Sequence, residues 1–273
     1  MSTKQMAEVN NNGSVLQVAG NYYSQGLTFD QVKDLFFLLL SENLPKMEAA
    51  AMDKARGHAE ELVRKTYERL SKKIAAISPQ KLAEPNVQAV FNEAVQNAAR
   101  KGEKANIDLL ADLLEMIVEN NNSDFLDICI EVAVSIVPKL TQEMLCSVAT
   151  IQLVKHLEIK DQDSLERMYM VLYSLFTSKC ENITSTKLMT ISSFGAGSYM
   201  DIMGLDTFNE FKKKYPALAS DDAKEKFPFV TKVLAVYDKQ QMHKLSLNAP
   251  GKVIALTLLK KILGHTDIKT FIE

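Results

Sequence analysis

The segment Ser193–Asp201, SFGAGSYMD, is the part of the sequence that comes nearest to a ligand-binding loop. Gly195 and Gly197 stand beside Ser198, and successive backbone amides in such a turn can form a nest that binds an anion. A phosphate loop of the GxxxxGK type also requires a lysine and a preceding strand, and the sequence offers neither. The segment therefore predicts a helix connection first, and a small-ligand or nucleotide site near Gly195–Asp201 as an alternative.

Side chains suited to catalysis or metal binding are scattered along the chain. The four histidines are far apart, whereas zinc ligands recur at short intervals. No GxSxG turn is present to carry a serine nucleophile. Carboxylates at helical spacing, such as Asp108 and Asp112, are typical of a solvated helix face. The sequence therefore predicts a non-enzymatic protein with no catalytic residue, metal or cofactor.

Lysines are concentrated towards the C-terminus. From Lys239 to Lys261 there are five lysines and no acid, and nucleic-acid binding requires a concentrated basic surface. A DNA-binding regulator would use Lys212, Lys213, Lys214, Lys244, Lys252, Lys260 and Lys261. No helix here carries the cluster of arginine, asparagine and glutamine that reads base edges, so this is an alternative hypothesis.

Acids are concentrated in the middle of the chain. From Glu103 to Glu131 there are eight acids and one base. Such a block is typical of a solvated face. Alternatively, the acidic and basic blocks meet, within or between subunits, and set their orientation.

Length and composition fit one large folded domain or two smaller ones. The chain has 273 residues, of which 47% are hydrophobic and 24% charged, with a formal net charge of −2. Three widely spaced cysteines predict buried, reduced thiols. The N-terminus lacks an apolar core, and no apolar run approaches the ~20 residues of a membrane span. We expect a cytoplasmic protein without a membrane span.

A long charged helix is predicted over Lys46–Ile77, beginning where Pro45 ends the preceding helix. Acid-then-base pairs at i,i+4, such as Glu61–Lys65, stabilise it by about 0.3 kcal/mol each. Apolar residues repeat on one stripe at heptad-like spacing, which is typical of a helix that packs along one partner. The predicted packing residues, against this chain or another subunit, are Val63, Tyr67, Leu70, Ile74 and Ile77.

Shorter helices follow, because apolar residues recur at helical spacing between proline, glycine and polar stops. Ser123 and Thr141 are predicted N-caps, and Asn248 starts a C-terminal helix that ends at Gly264. Short connections predict antiparallel neighbours. The fold class is therefore mainly α, a multi-helix bundle.

Two helical domains are predicted, over residues 27–160 and 161–273. In the second, helices at Ser164–Cys180, Thr207–Lys214 and Phe229–Leu245 predict a winged-helix-like unit. Residues 1–26 are predicted to be a flexible segment with one short strand. Val15, Leu16 and Val18 would carry β pairing, because unpaired strand edges require partners.

The order of features resembles an uncharacterised family of bacterial helical proteins. The resemblance rests on NNNGSVLQVAGNYYSQGLTFDQVKDL, DKARGHAEELVRKTYERL, NIDLLADLLEMIVE, AVSIVPKLTQEML and LSLNAPGKVIALTLLKKILG. The last stretch is also distantly similar to abortive-infection alpha-type proteins, which implies a role in phage defence by analogy. The leading hypothesis is a helical protein that forms homo-oligomers or docks on a protein partner, ahead of nucleic-acid binding.

Overall fold

The computed structural model describes residues 34, 37–38, 49–73, 77–119, 122–156, 158–159, 162–201, 206–264 and 268–272. Across these ranges the protein is mainly α-helical, with one two-stranded sheet. This confirms the predicted fold class. The three cysteines are buried and unpaired.

The first part of the described chain is a series of helices joined by short turns. They are α1 (Ala49–Lys72), α2 (Pro79–Leu82), α3 (Pro85–Lys101), α4 (Ile107–Ile117), α5 (Asp124–Ile136) and α6 (Gln142–His156). Two 3₁₀ helices, Gly102–Ala105 and Val137–Lys139, connect α3 to α4 and extend α5.

The second part contains the sheet and further helices. The elements are α7 (Gln162–Leu175), α8 (Ser185–Ser193), β1 (Gly197–Tyr199), α9 (Thr207–Lys214), α10 (Ala223–Lys226), α11 (Pro228–Lys239), β2 (Leu245–Leu247), α12 (Ala249–Leu263) and α13 (Lys269–Ile272). Three-residue and four-residue 3₁₀ helices lie at Thr177–Lys179, Pro216–Ala219 and Met242–Lys244.

The predicted caps are confirmed. The Ser123 hydroxyl accepts a hydrogen bond from the amide of Leu126 at 3.2 Å, and Asn248 Oδ1 accepts one from the amide of Gly251 at 3.0 Å. Each bond satisfies an amide that has no partner within its own helix. The caps therefore fix where α5 and α12 begin.

Three helix ends were predicted wrongly. The helix predicted over Ser164–Cys180 ends at Leu175 and is followed by the 3₁₀ helix Thr177–Lys179. In the described residues the long helix ends at Lys72, and Ile77 forms an antiparallel bridge with Glu119. Ser78 is extended, as expected for a residue before proline. The helix predicted to reach Leu245 ends at Lys239, because Gln241 adopts a positive φ of 55° and turns the chain into β2.

The helices share one continuous core. α1 packs against α3 and α4, while α11 packs against α7 and α9. α6 is buried along its length from Met144 to Val154. α12 packs against α5 and α6, so the last long helix contacts elements that precede residue 160.

Candidate functional site

The predicted packing stripe of the long helix lies mainly against the protein's own core. Val63, Leu70 and Ile77 are buried, with at most 8% of their surface exposed, and α1 packs on α3 and α4. Tyr67 is 43% exposed. The remaining predicted interface residues lie outside the described residues or have no described side chain: Val15, Leu16, Val18 and Ile74. The long helix therefore finds a partner within its own chain.

A row of ion pairs, here named the acid–base seam, joins α1 to α4 and the residues after it. Lys65 and Arg69 lie one turn apart on α1, and Lys73 follows directly after its last residue. Their partners are Asp108 at 2.8 Å from Lys65 Nζ, Asp112 at 2.6 Å from Arg69 Nε, and Glu115 and Glu119 at 2.6 and 2.8 Å from Lys73 Nζ. Much of the acidic block is thus paired with α1 rather than with the C-terminal lysines.

The seam shifts the titration of its members. The hydrogen bond to Asp108 raises the pKa of Lys65. Partial burial of Asp108 opposes ionisation, but hydrogen bonds from Lys65 and Arg69 hold its pKa below the usual range. The Glu115 carboxylate is 5% exposed and depends on Lys73 for its charge partner. These charges are paired within the fold and stabilise it.

The glycine-rich segment is part of the sheet. β1 pairs antiparallel with β2, with Gly197 opposite Leu247 and Tyr199 opposite Leu245. A Cβ added at Gly197 would lie 2.4 Å from the carbonyl oxygen of Ser246. Glycine at 197 therefore allows the close approach of the two backbones.

Backbone amides of the same segment already have acceptors. The amides of Gly195 and Ala196 donate to carbonyls of α8 at 2.9 and 3.2 Å. The amide of Tyr199 donates to the Ser192 hydroxyl at 3.2 Å, and the amide of Met200 donates to the carbonyl of Lys244 at 2.9 Å. Asp201 pairs with Lys244 at 2.5 Å. These four amides are not directed at an empty nest, so the geometry gives the ligand-loop alternative no support.

Three lysines of the C-terminal helices lie over aromatic rings. Lys212 and Lys224 are 5.3 and 5.9 Å from the centroid of Phe208, and Lys232 is 5.1 Å from that of Phe229. Lys232 is also 5.7 Å from the ring of Tyr173. The three rings are half-buried. We name this set the lysine–ring surface: Phe208, Lys212, Lys224, Tyr173, Phe229 and Lys232.

Most of the lysines predicted for nucleic-acid binding contact other groups of the protein. Lys213 pairs with Glu210 at 2.8 Å, Lys244 pairs with Asp201, and Lys252 donates to the carbonyl of Phe271 at 3.2 Å. Lys214 lies 5.6 Å from the ring of Tyr215, and Lys260 is half-buried. The side chain of Lys261 is not among those described. Lys212 alone of the predicted set belongs to the lysine–ring surface.

Sequence reasoning missed Lys224, Lys232 and the three rings. Part of the signal was visible, because Phe208 and Lys212 are four residues apart and Phe229 and Lys232 three apart, which places each pair on one helix face. Lys224, on α10, reaches Phe208, and Tyr173, on α7, reaches Lys232 only through the packing of separate helices. Arg167, an exposed cation on α7, was also left out of the prediction.

Two half-buried carboxylates lie at the ends of α11. Glu166 of α7 accepts from the amides of Phe229 and Val230 at 2.8 and 3.2 Å. Asp238, the one acid on α11, accepts from the amide of Thr207 at 3.0 Å and from its hydroxyl. Burial raises the pKa of Asp238 despite these hydrogen bonds. The exposed stripe of α11 therefore carries Lys232 and Lys239 and no acid.

The described residues contain no group of three or more histidine, cysteine, aspartate or glutamate side chains arranged to hold a metal ion. None of the helices described combines the length and apolar character needed to cross a membrane.

Fold and site together define a mainly α-helical protein whose C-terminal helices carry cations with no carboxylate partner in the part of the chain that the structure describes. A model of an uncharacterised protein family matches residues 26–225, and the chain belongs to that family. No curated protein and no solved structure matches the chain. The likeness to abortive-infection proteins stays a prediction.

Proposed function

We propose that this protein is a non-enzymatic binding protein whose lysine–ring surface contacts the phosphate backbone of nucleic acid. One observation carries the proposal. Within the described part of the chain, Lys212, Lys224 and Lys232 have no carboxylate within salt-bridge distance. Each amine lies over a ring, which supports a cation at the surface without neutralising it.

The charge balance of the C-terminal helices supports the same function. From Thr207 to Lys260 there are ten lysines, five acids and no arginine. Lysine acts as a point charge for phosphate, whereas arginine, asparagine and glutamine read bases through paired hydrogen bonds. We therefore propose binding that depends on the backbone charge and not on base sequence.

The test is fluorescence anisotropy of a labelled oligonucleotide, single-stranded and duplex, at a series of salt concentrations. Affinity is expected to fall steeply as salt rises, because each phosphate contact releases a counterion. Substituting all three surface lysines (Lys212→Gln, Lys224→Gln and Lys232→Gln) should weaken binding at least about tenfold and flatten the salt dependence by about two to three units of log–log slope.

The matched control removes three cations from α1, with Lys54→Gln, Arg56→Gln and Lys72→Gln. These side chains are exposed and distant in sequence from the lysine–ring surface. An equal loss of affinity in the control would show that binding depends on net charge and not on the lysine–ring surface. No binding at low salt would overturn the proposal.

Self-association is a second candidate function. Phe125 and Ile128, one turn apart on α5, are 50% and 57% exposed, and apolar side chains exposed side by side often mark an interface. The predicted strand residues Val15, Leu16 and Val18 are the other candidate contact. Light scattering of the full chain, compared with Val15→Lys/Leu16→Lys/Val18→Lys and Phe125→Ser/Ile128→Ser variants, tests each contact. A full chain that is monomeric rejects both. A role in phage defence rests on the resemblance alone.

A further inference from the structure

A groove of about 860 Å³ opens at the end of α3, beside the start of α6. Four basic side chains line it: Arg100, Lys101, Lys104 and Lys139. Glu103 is the one acid among its lining residues, and the buried Pro138 and Leu140 supply apolar surface. We name this the basic groove. It shares no residue with the lysine–ring surface.

Hydrogen bonds between its two walls hold the groove open. Asn106 has a positive φ of 59°, and its side-chain amide donates to the carbonyls of Val137 and Leu140, both at 3.3 Å. Lys101 Nζ donates to the carbonyl of Pro138 at 2.8 Å. These contacts tie the 3₁₀ helix after α3 to the one after α5, so the groove does not depend on a ligand for its shape.

Three of its cations have no partner in the described chain. The side chains of Arg100, Lys104 and Lys139 are exposed and form no ion pair or hydrogen bond there. The C-terminal end of α3 favours cations such as Arg100 and Lys101. Lys104 and Lys139 come from separate 3₁₀ helices and line the same concavity.

We propose that the basic groove binds a chain of phosphoryl groups, carried by a nucleoside polyphosphate or by inorganic polyphosphate. Its volume lies within the roughly 300–1,000 Å³ of small-molecule sites, well beyond a single phosphate. The guanidinium of Arg100 can bind one phosphoryl group with two hydrogen bonds, while Lys104 and Lys139 supply charge for its neighbours. Glu103 can accept a hydrogen bond from a hydroxyl or amino group of a nucleoside.

The experiment is isothermal titration calorimetry of the full chain with tripolyphosphate, ATP and AMP in metal-free buffer. Tripolyphosphate and ATP should bind, and AMP at least about tenfold more weakly, because it offers the cations a single phosphoryl group. An Arg100→Gln/Lys139→Gln variant should weaken the first two at least about tenfold. The control, Lys54→Gln/Arg56→Gln, should change them by less than about twofold.

Tighter binding of ATP than of tripolyphosphate identifies a nucleotide, and the reverse order identifies an inorganic chain. Either order supports the site. No heat with either probe at millimolar concentration overturns it, as does an equal loss in the control. The Arg100→Gln/Lys139→Gln variant should keep its oligonucleotide affinity, and loss of both activities together would contradict a site separate from the lysine–ring surface.

Discussion

The acid–base seam and the lysine–ring surface place similar basic side chains in opposite environments. In the seam, Lys73 lies 2.6 Å from Glu115, which is almost fully buried. On the surface, Lys232 lies over two rings, with no carboxylate partner among the described residues. A cation that is paired and partly buried stabilises the fold. A cation without a carboxylate partner is not neutralised, so it can bind an anionic group of another molecule. The basic residues of the seam therefore stabilise the fold, whereas we propose that those of the lysine–ring surface bind a partner.

The largest expected effect is on the seam. Lys73→Ala leaves the buried Glu115 carboxylate without its charge partner, and we expect the free energy of unfolding to fall by about 3 kcal/mol. Urea denaturation at neutral pH measures it. The control is Lys72→Ala at the exposed neighbouring position, where a loss below about 0.5 kcal/mol is expected. Equal losses would show that Glu115 does not depend on Lys73.

The lysine–ring surface should show the reverse pattern. The Lys212→Gln/Lys224→Gln/Lys232→Gln variant should keep its unfolding free energy within about 0.5 kcal/mol per site, since no ion pair is broken. Its affinity for the oligonucleotide should fall at least about tenfold. A variant that loses stability and keeps its affinity would show that these lysines stabilise the fold and do not bind the oligonucleotide.

A smaller effect is expected at the start of α11. Glu166→Gln removes the charge that accepts from the amides of Phe229 and Val230. We expect a loss of about 1 kcal/mol in unfolding free energy, the usual effect of a cap next to the helix dipole. Glu225→Gln, an exposed acid on α10, is the control. If the two variants are equally stable, Glu166 does not cap α11.

The smallest effect is on the pH dependence of stability. His243 is 4% exposed and neither ring nitrogen has a partner among the described residues. Burial lowers its pKa from 6.5, so the unfolded chain takes up a proton first and stability falls as pH drops below that value. His243→Gln should reduce this loss in denaturation curves between about pH 7 and 5, and the remainder comes from His156, whose pKa burial also lowers.

Asp108, in the acid–base seam, is the comparison for the pH dependence measured with His243. The pKa of Asp108 is lowered, so its stabilising effect is complete above the pKa of the unfolded state, about 3.9, and is lost only as pH falls through the lower folded value. Asp108→Asn should therefore leave the loss near pH 6 unchanged. An altered profile there would mean that the two regions titrate together.

What the sequence could predict was local. The N-caps Ser123 and Asn248 and the bounds of α9 follow from capping and periodicity within a few residues, and the structure confirms them. The end of the long helix was placed too late, although Pro79 offered a local signal.

What it could not predict depends on pairing between distant segments. Lys65 pairs with Asp108, more than forty residues away, and β1 pairs with β2, a strand that the sequence did not predict. The basic groove joins Lys104 to Lys139 through the hydrogen bonds of Asn106. The role of a charged residue therefore depends on which distant segment packs beside it. The periodicity of apolar residues along one helix does not predict that segment.

The most direct test of this comparison is amide hydrogen exchange of the full chain with and without a single-stranded oligonucleotide. We predict added protection in α9, α10 and α11, and no change in α1 and α4 along the acid–base seam, where the charges are already paired. Protection confined to α1 and α4, or none in α9 to α11 under conditions where the oligonucleotide is bound, would contradict the assignment of the lysine–ring surface as the binding site.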